Sequence, residues 1–177
     1  MLEELVRLVL FILPAYVANA APVALGGYFP IDGGRRAWDK RPLFGPSKTW
    51  MGFMGGMAAG MLCAVLEAHL LRGTPWDLWG GQPQWYLASG FLLSFGALAG
   101  DLIGSFIKRR LSVPAGQPSL LLDQLPFLVV ALLAVLPMGI SFPFQPVALI
   151  FLAAITIVLH RAANMIAHGA GLKRVPW

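Results

Sequence analysis

The densest group of chemically active side chains lies at residues 100–110, which contain an acid, a hydroxyl and three consecutive basic residues. Helical periodicity would place Asp101, Ser105 and Lys108 on one stripe, with Arg109 four residues after Ser105. An aspartate can hold Mg²⁺, a serine can contact a phosphate oxygen or a metal-bound water, and the basic residues can neutralise phosphate charge. The spacing therefore indicates a site for a metal-bound polyphosphate. The alternative is an internal bridge from Asp101 to a Lys or Arg, combined with positive-inside anchoring of the basic residues.

A second candidate lies at residues 45–50, where a Gly-Pro turn leads into an apolar run. A helix that begins there would present free backbone N–H groups and the positive end of its dipole. Ser47, Lys48 and Thr49 would add donors, so this segment predicts an anion site. Its glycine spacing differs from that of a Walker A loop, and no strand is predicted before it. The alternative is a helix N-cap beside an interfacial lysine.

A third candidate is Asp123, which lies at the mouth of an apolar run at residues 120–126. Together with Asp101 it would form a carboxylate pair that can hold a divalent metal and orient a phosphoryl donor. The alternative is a simple favourable contact between Asp123 and the dipole of the helix that follows it.

The elements that must position these residues are membrane helices. The chain has 177 residues, of which 58% are hydrophobic and 12% charged, and this leaves too little polar surface for a soluble enzyme. Five apolar runs approach the ~20 residues that a helix needs to cross hydrocarbon. We therefore predict one all-helical membrane domain over residues 1–177, with spans at residues 3–26, 50–71, 84–107, 120–138 and 147–168.

Basic residues gather on one side of the predicted membrane. Ten of the 13 Lys and Arg fall in the connections after the first and third spans or in the C-terminal tail: Arg35, Arg36, Lys40, Arg41, Lys48, Lys108, Arg109, Arg110, Lys173 and Arg174. The positive-inside rule then places the N-terminus outside and the C-terminus in the cytoplasm. We expect a multi-pass cell-membrane protein whose loops at 27–49 and 108–119 form a site facing the cytoplasm. Attraction to anionic lipid is the alternative explanation of these basic residues.

Polar groups from all five predicted spans occur at this same depth. A charged or amide side chain within a membrane helix is costly, so each one is a candidate site residue. Asn19, near the inner end of the first span, and Asn164 and His168, near the inner end of the fifth, are supporting candidates. His160 lies deeper and is expected to make a structural hydrogen bond, while Glu67 lies toward the outer side and outside the site.

Glycines recur every four residues in the second and third predicted spans. They are Gly52, Gly56 and Gly60, then Gly96, Gly100 and Gly104. This repeat is typical of helices that pack closely in a membrane. Close packing would hold the Asp101 stripe in a fixed geometry.

The order of these motifs resembles the membrane CTP transferases of the phosphatidate cytidylyltransferase superfamily. The matching elements are G-D-L-x-x-S-x-x-K-R at 100–109, a short basic and proline-containing loop, and L-L-D-Q-L-P-F at 121–127. The compact five-span chain, the Asn-Ala-Ala-Pro stretch at 19–22 and the segment 45–52 are similar to the CDP-archaeol synthase family. The resemblance covers nearly the whole chain. Two departures from the bacterial and eukaryotic pattern suit the archaeal branch: Gly104 replaces the usual acid before the serine, and residues 123–126 reduce D-R-x-D to D-Q-L-P.

The resemblance implies a CTP-dependent nucleotidyltransferase of polar-lipid biosynthesis. It would transfer CMP from CTP, with Mg²⁺, to the phosphate of a digeranylgeranyl glycerol phosphate, releasing pyrophosphate. It implies that Asp101 and Asp123 are metal ligands and form the catalytic set with Lys108. The implied substrate contacts are Lys48, Thr49, Ser105 and Arg109, with Asn19, Asn164 and His168 in support.

The charge of the chain agrees with such a reaction. A lipid phosphate lies at headgroup depth and a soluble nucleotide arrives from the cytoplasm, so the two meet at the depth of the polar residues. The phosphate nucleophile is already anionic and needs no strong base, whereas two approaching polyanions need cations and metal. The net charge of +5 is therefore explained without nucleic acid as a partner. The residues carry no signal for an oligomeric state.

Three alternatives remain from the residues alone. An enzyme of the same chemistry could act on ester lipids, because nothing in the motifs selects ether chains. A small cation-coupled or proton-coupled transporter could use Asp101, Asn19 and His168, but the outer half of the spans lacks a polar path. A scaffold that binds anionic lipid would leave Asp101 and Asp123 unexplained.

Overall fold

The computed structural model describes residues 2–115, 117, 119 and 121–171. Among these residues it contains six α-helices and no strand, which confirms the all-helical prediction. The helices are α1 (Leu2–Ala20), α2 (Pro22–Leu25), α3 (Trp50–Leu70), α4 (Pro83–Arg110), α5 (Leu125–Val135) and α6 (Pro146–Gly169), with 3-10 turns at Leu136–Met138 and Phe142–Phe144. Lys173 and Arg174 of the predicted basic tail, and Gly116, Pro118 and Leu120, lie outside the described residues.

Four segments of the described chain are long and apolar enough to cross a membrane. They are α1 with α2 (Leu2–Leu25), α3, α4 and α6. The predicted span at 120–138 corresponds to a shorter apolar helix at Leu125–Met138. It begins later than predicted because the residues before it form a turn, in which the N–H of Asp123 bonds the carbonyl of Ser119 at 2.9 Å. Pro126 lies in the first turn of α5, a position that suits a proline.

Helix α4 lies at the centre of the bundle and contacts α1, α3 and α5. The core between them includes Phe11 and Ile12 of α1, Leu93 and Ala97 of α4, and Leu128 of α5, all buried. Helix α6 packs more sparsely, and a 2.7 Å hydrogen bond between the Tyr16 and Thr156 hydroxyls joins it to α1. Because α4 contacts most of the bundle, its polar face can meet side chains from several elements.

The glycines of α3 allow α1 and α4 to approach it closely. A Cβ atom at Gly56 would lie 2.6 Å from the carbonyl oxygen of Ala18, and one at Gly60 would lie 2.9 Å from that of Pro14. As residue numbers rise along α3 they fall along α1, so the two helices are antiparallel. The start of α3 therefore lies beside the end of α1.

The glycines of α4 play the same part toward α5. A Cβ atom at Gly96 would lie 2.7 Å from the Cα atom of Ala131, and one at Gly104 would lie 2.6 Å from the carbonyl oxygen of Leu122. Only a residue without a side chain fits between the two backbones at these distances. The close-packing prediction is confirmed, and the contact at Gly104 brings the turn that carries Asp123 onto α4.

Replacing Gly96 by alanine tests this packing away from the polar end of the bundle. Alanine raises helix propensity by about 1 kcal/mol, but the added methyl group must push against backbone atoms of α5 that cannot rotate away. We expect the Gly96→Ala protein to lose about 1–3 kcal/mol of stability, seen as a lower unfolding temperature in detergent. The control is Gly169→Ala at the end of α6, where nothing lies within 4 Å of an added Cβ. Equal unfolding temperatures for the two variants would contradict the packing described.

Candidate active site

Two lysine–aspartate ion pairs lie at the end of the bundle where α3 begins and α4 ends. Lys48 pairs with Asp101, and Lys108 pairs with Asp123. The side chains of the two aspartates are 29% and 25% exposed, so a ligand can reach both carboxylates. The structure therefore brings together four of the predicted site residues as two pairs.

Helix α4 supplies one partner of each pair. Asp101 and Lys108 are seven residues apart, which is close to two turns, so they share a face and are separated by about 10 Å along the axis. This confirms the predicted stripe. The internal bridge considered as an alternative does occur, because Asp101 pairs with Lys48 from the loop before α3.

Asp123 is held by its turn as well as by Lys108. Its second carboxylate oxygen accepts the backbone N–H of Ser119 at 2.8 Å. The close contact of Leu122 with Gly104 keeps this turn on α4. Glycine at 104 is thus required by packing, because a side chain there would collide with the carbonyl oxygen of Leu122 and the ring of Pro126.

The loop between α2 and α3 is folded as a hairpin rather than as a separate subdomain. Its two limbs pair next to the start of α3, where the N–H of Ile31 donates to the carbonyl of Lys48 at 2.8 Å and the N–H of Trp50 donates to that of Phe29 at 2.9 Å. Thr49 caps α3, because its buried hydroxyl accepts the N–H of Gly52 at 3.1 Å. Main-chain pairing therefore fixes the position from which Lys48 reaches Asp101.

Asp32 is a buried acid of this loop that the sequence interpretation missed. Its carboxylate accepts backbone N–H groups from Gly34 at 3.0 Å, Phe44 at 3.1 Å and Gly45 at 3.0 Å. Burial by itself raises the pKa of Asp32, but these N–H donors outweigh it and hold the pKa below its usual 3.8. The stability that the ionised form provides is complete at neutral pH and is lost only as pH falls through the lowered pKa. The available signal was the Asp-Gly-Gly sequence, which is typical of a turn.

Arg110 fastens the tip of the loop to the end of α4. Its guanidinium donates to the carbonyl of Pro42 at 2.6 Å, pairs with Asp39 at 3.0 Å and lies 4.8 Å from the centre of the Phe106 ring. In return, Arg41 donates to the carbonyl of Arg110 at 2.7 Å and satisfies an open end of the helix. We call this set of contacts the Arg110 latch. The sequence showed Arg110 only as one of three consecutive basic residues.

A cavity of about 270 Å³ lies between the loop and the residues that follow α4. Arg109 is buried at its wall and donates to the carbonyl of Pro114 at 3.1 Å. Its Nε has no hydrogen-bond partner among the described residues, although it is shielded from water. The lining residues are Arg41, Pro42, Gly45, Pro46, Arg109, Ser112, Val113, Pro114 and Ala115.

A smaller cleft of about 30 Å³, room for about one water, adjoins the first ion pair. Lys48 and Asp101 form its polar end, and Phe53, Leu98 and Leu102 form an apolar wall. A site of this mixed character suits a headgroup at the boundary between water and hydrocarbon.

The remaining predicted residues lie around these groups. Ser105 is buried on α4, and Asn19 is half-buried near the end of α1. Asn164 is buried and His168 is exposed on α6, which packs mainly on α1 and α5. Their roles as substrate contacts stay predictions.

Asp101 and Asp123 belong to two separate ion pairs, and each can supply one carboxylate to a divalent cation that arrives with a polyphosphate. No group of three or more His, Cys, Asp or Glu side chains comes together in the part of the chain that the structure describes. Mg²⁺ is commonly held by only one or two protein carboxylates, with phosphate oxygens and waters completing its shell. Asp101 and Asp123 supply such carboxylates, and each has an ammonium beside it that can turn to a phosphate.

Comparison with known proteins gives one consistent result. The family model described as CarS-like, CDP-archaeol synthase, matches residues 1–177. A curated CDP-archaeol synthase from Thermococcus gammatolerans is 48% identical over 170 residues, which cover 94% of this chain and 93% of the relative. One from Pyrococcus horikoshii is 42% identical over 182 residues, which cover 99% of each.

A solved structure also resembles this fold. It is described as an intramembrane enzyme for archaeal membrane lipids biosynthesis. The two structures superpose with a TM-score of 0.77 at 38% sequence identity, over 88% of this chain and 91% of the other.

The Arg110 latch can be tested by proteolysis. Replacing Arg110 by alanine removes an ion pair, carbonyl hydrogen bonds and ring contacts, so the loop should open more often. We expect trypsin to cleave after the exposed Arg35 and Arg36 about tenfold faster in detergent, as followed by mass spectrometry. Arg72→Ala, an exposed arginine between α3 and α4, is the control and should leave cleavage unchanged. An unaltered rate in the Arg110 variant would show that the latch does not hold the loop.

Proposed function

The chain belongs to the CDP-archaeol synthase family, and from this membership we propose how its site carries out the reaction of the family. It is a multi-pass membrane enzyme and a CTP-using cytidylyltransferase, whose substrates are CTP and the phosphate of an archaeal dialkyl glycerol lipid. Family membership favours this function over the transporter, scaffold and ester-lipid alternatives.

The reaction transfers the CMP group of CTP to the lipid phosphate, and both reactants are anions. An oxygen of the lipid phosphate attacks the α-phosphorus of CTP, the bond from that phosphorus to the bridging oxygen breaks, and pyrophosphate leaves with the electron pair. The attacking oxygen is already ionised near neutral pH, so no strong general base is needed. The barrier is mainly electrostatic and geometric, because two polyanions must meet in line.

The two lysine–aspartate pairs carry the proposal. The ammonium groups of Lys48 and Lys108 are each paired with a carboxylate at this end of the bundle. When the substrates bind, Lys48 and Lys108 turn to phosphate oxygens, and the carboxylates of Asp101 and Asp123 would then be the groups that hold Mg²⁺. The metal, when bound, screens the phosphate charge. Since the ammonium groups exchange one anion for another, they are never left unpaired in a partly buried site.

CTP occupies the cavity between the loop and the segment after α4. Its volume of about 270 Å³ and its arginines suit a nucleotide. Arg109 has a shielded Nε that lacks a hydrogen-bond partner among the described residues, and a phosphate oxygen would supply one. Loops 27–49 and 108–119 thus both contribute to the site.

The lipid phosphate takes the place of Asp101 beside Lys48, and the cleft, which has room for about one water while the two are paired, widens as they separate. Its glycerol and isoprenoid chains extend along the apolar wall that Phe53 and Leu98 begin. Headgroup depth is where such a phosphate rests, so little of the lipid must leave the membrane. Ser105, Thr49, Asn19, Asn164 and His168 support the site from the helices around it.

This end of the bundle faces the cytoplasm in our proposal. The loop residues that surround the site are strongly basic, and cytoplasmic loops of membrane proteins carry an excess of Lys and Arg. CTP would then enter directly from the compartment in which it is made.

An activity assay tests the roles of the aspartates. Purified wild-type protein in detergent should form a CDP-lipid from labelled CTP and a geranylgeranyl ether glycerol phosphate with Mg²⁺, and a chelator should abolish the product. Asp101→Asn and Asp123→Asn should each reduce the rate by about 100-fold or more, because each removes charge that positions the metal and phosphates.

The matched control for this assay is Asp77→Asn at the other end of the bundle. Asp77 also accepts backbone N–H groups, including that of Trp79 at 3.2 Å, and the Tyr86 hydroxyl at 2.9 Å. Its variant should retain nearly full activity. Well-folded Asp101 and Asp123 variants with wild-type rates would reject the assigned roles.

Cysteine labelling tests the orientation. Cys63 is the only cysteine, so a Cys63→Ala protein can carry a single new thiol at Ser47 or Gln84, exposed positions at opposite ends of the bundle. In intact cells we expect a membrane-impermeant maleimide to label Gln84→Cys, and to label Ser47→Cys only after the cells are opened. The reverse pattern would place the site outside.

A further inference from the structure

The buried carboxylate of Asp32 is not explained by membrane packing, because it lies in the loop outside the helices. We propose that Asp32 is a positioning residue of the reaction, which sets Lys48 against Asp101 by holding the returning limb of the loop at Phe44 and Gly45. This inference rests on the proposed function, in which Lys48 contacts a substrate phosphate.

A continuous series of contacts leads from Asp32 to Asp101. One oxygen of Asp32 accepts the N–H groups of both Phe44 and Gly45. The carbonyl of Gly45 then accepts the N–H of Lys48 at 3.2 Å, which closes a turn, and the side chain of Lys48 pairs with Asp101. Each link is a direct hydrogen bond or ion pair, so a shift of Gly45 is passed to Lys48.

Asp32 is also fixed from its own side of the loop. Its other oxygen accepts the N–H of Gly34, and the neighbouring residue Ile31 pairs with the backbone of Lys48. Gly45 has a φ of +102°, a conformation that glycine adopts readily but does not adopt exclusively. The carboxylate therefore selects one of the several backbone conformations that are open to this glycine.

Three backbone N–H groups donate to the side chain at position 32, so that side chain must be one that only accepts hydrogen bonds. Asparagine has the same shape but replaces one acceptor oxygen by an NH₂ donor, so at least one backbone N–H would face another donor. If the amide oxygen of the asparagine still accepts the N–H groups of Phe44 and Gly45, the hydrogen bond from the N–H of Gly34 is lost. Asp32→Asn should thus loosen the turn without removing bulk from the site.

This contact is separate from the Arg110 latch. The latch holds the tip of the loop at Asp39 to Pro42, whereas Asp32 holds the part that leads into the site. Between Gly45 and Lys48 only Pro46 and Ser47 intervene, and both are exposed. Asp32 therefore holds the segment that precedes Lys48, while main-chain pairing with Phe29 and Ile31 holds Lys48 and the residues after it.

A double-mutant cycle separates positioning from folding. kcat/KM for CTP and for the lipid would be measured for wild type, Asp32→Asn, Lys48→Met and the double variant, with folding checked by unfolding temperature and gel filtration. If Asp32 acts through Lys48, Asp32→Asn should lower kcat/KM about tenfold in wild type and less than about twofold in the Lys48→Met protein. Equal losses in both backgrounds would overturn the proposal.

The control variant is Asp77→Asn, a carboxylate with similar backbone contacts at the opposite end. It should change kcat/KM by less than about twofold even if it lowers the unfolding temperature. A loss of activity equal to that of Asp32→Asn would show that loosening any loop has this effect, and would overturn the proposal.

A second readout does not depend on activity. Lys48 is only 22% exposed and is ion-paired, so amine acetylation followed by mass spectrometry should modify it severalfold faster in Asp32→Asn, with exposed Lys40 as an internal standard. Unchanged Lys48 reactivity would count against the proposal. If Asp32→Asn does not fold, Asp32→Glu, which retains the charge, takes its place in the cycle. If neither folds, Asp32 serves folding and the proposal is wrong.

A failure of the proposed function would look different. In that case the wild type would make no CDP-lipid, or Lys48→Met would be fully active. Formation of product by wild type, together with additive losses in the cycle, would reject only the role of Asp32.

Discussion

The site depends on how closely the helix backbones approach one another. Glycines on α3 let α1 and α4 come close, and glycines on α4 let α5 and its preceding turn do the same. Side-chain packing alone would keep these helices 8–10 Å apart, as in most soluble proteins. The close approach brings Asp123 within reach of Lys108, and it places the start of α3, with Lys48, beside Asp101. The apolar scaffold thus sets the geometry of a few charged groups.

The acids around the site are each balanced by a cation or by hydrogen-bond donors. At this end of the bundle each buried or half-buried acid has donors: Asp101 and Asp123 have lysines, Asp39 has Arg110, and Asp32 has backbone N–H groups. The two lysine pairs are more exposed than Asp32, so substrates can compete for them. This difference separates Asp32, which holds the loop, from Asp101 and Asp123, which can take part in chemistry, and it agrees with a reaction whose cost is mainly electrostatic.

Much of this arrangement could be predicted from residue spacing. The four-residue repeat of glycines, the seven-residue separation of Asp101 and Lys108, and the apolar runs are local patterns that a helix converts directly into shared faces. The pairings could not be predicted in the same way, because Lys48 meets Asp101 across 53 positions and Arg110 meets Pro42 across 68. The role of Asp32 was not predicted, because an acid in a Gly-rich loop is normally expected to be exposed to solvent, whereas Asp32 is buried. The start of α5 was placed too early because the three leucines at 120–122 extend the apolar run toward the N-terminus, whereas the structure turns at residues 121–124.

The most direct test of the proposed exchange of partners is a structure of the protein with Mg²⁺ and a CTP analogue whose α,β-bridging oxygen is replaced by a methylene group. We expect Asp101 and Asp123 to bind the metal, Lys48 or Lys108 to leave its aspartate for a phosphate oxygen, and the nucleotide to fill the cavity beside Arg109. Binding of the nucleotide and metal to other residues, with both lysine–aspartate pairs intact, would contradict it.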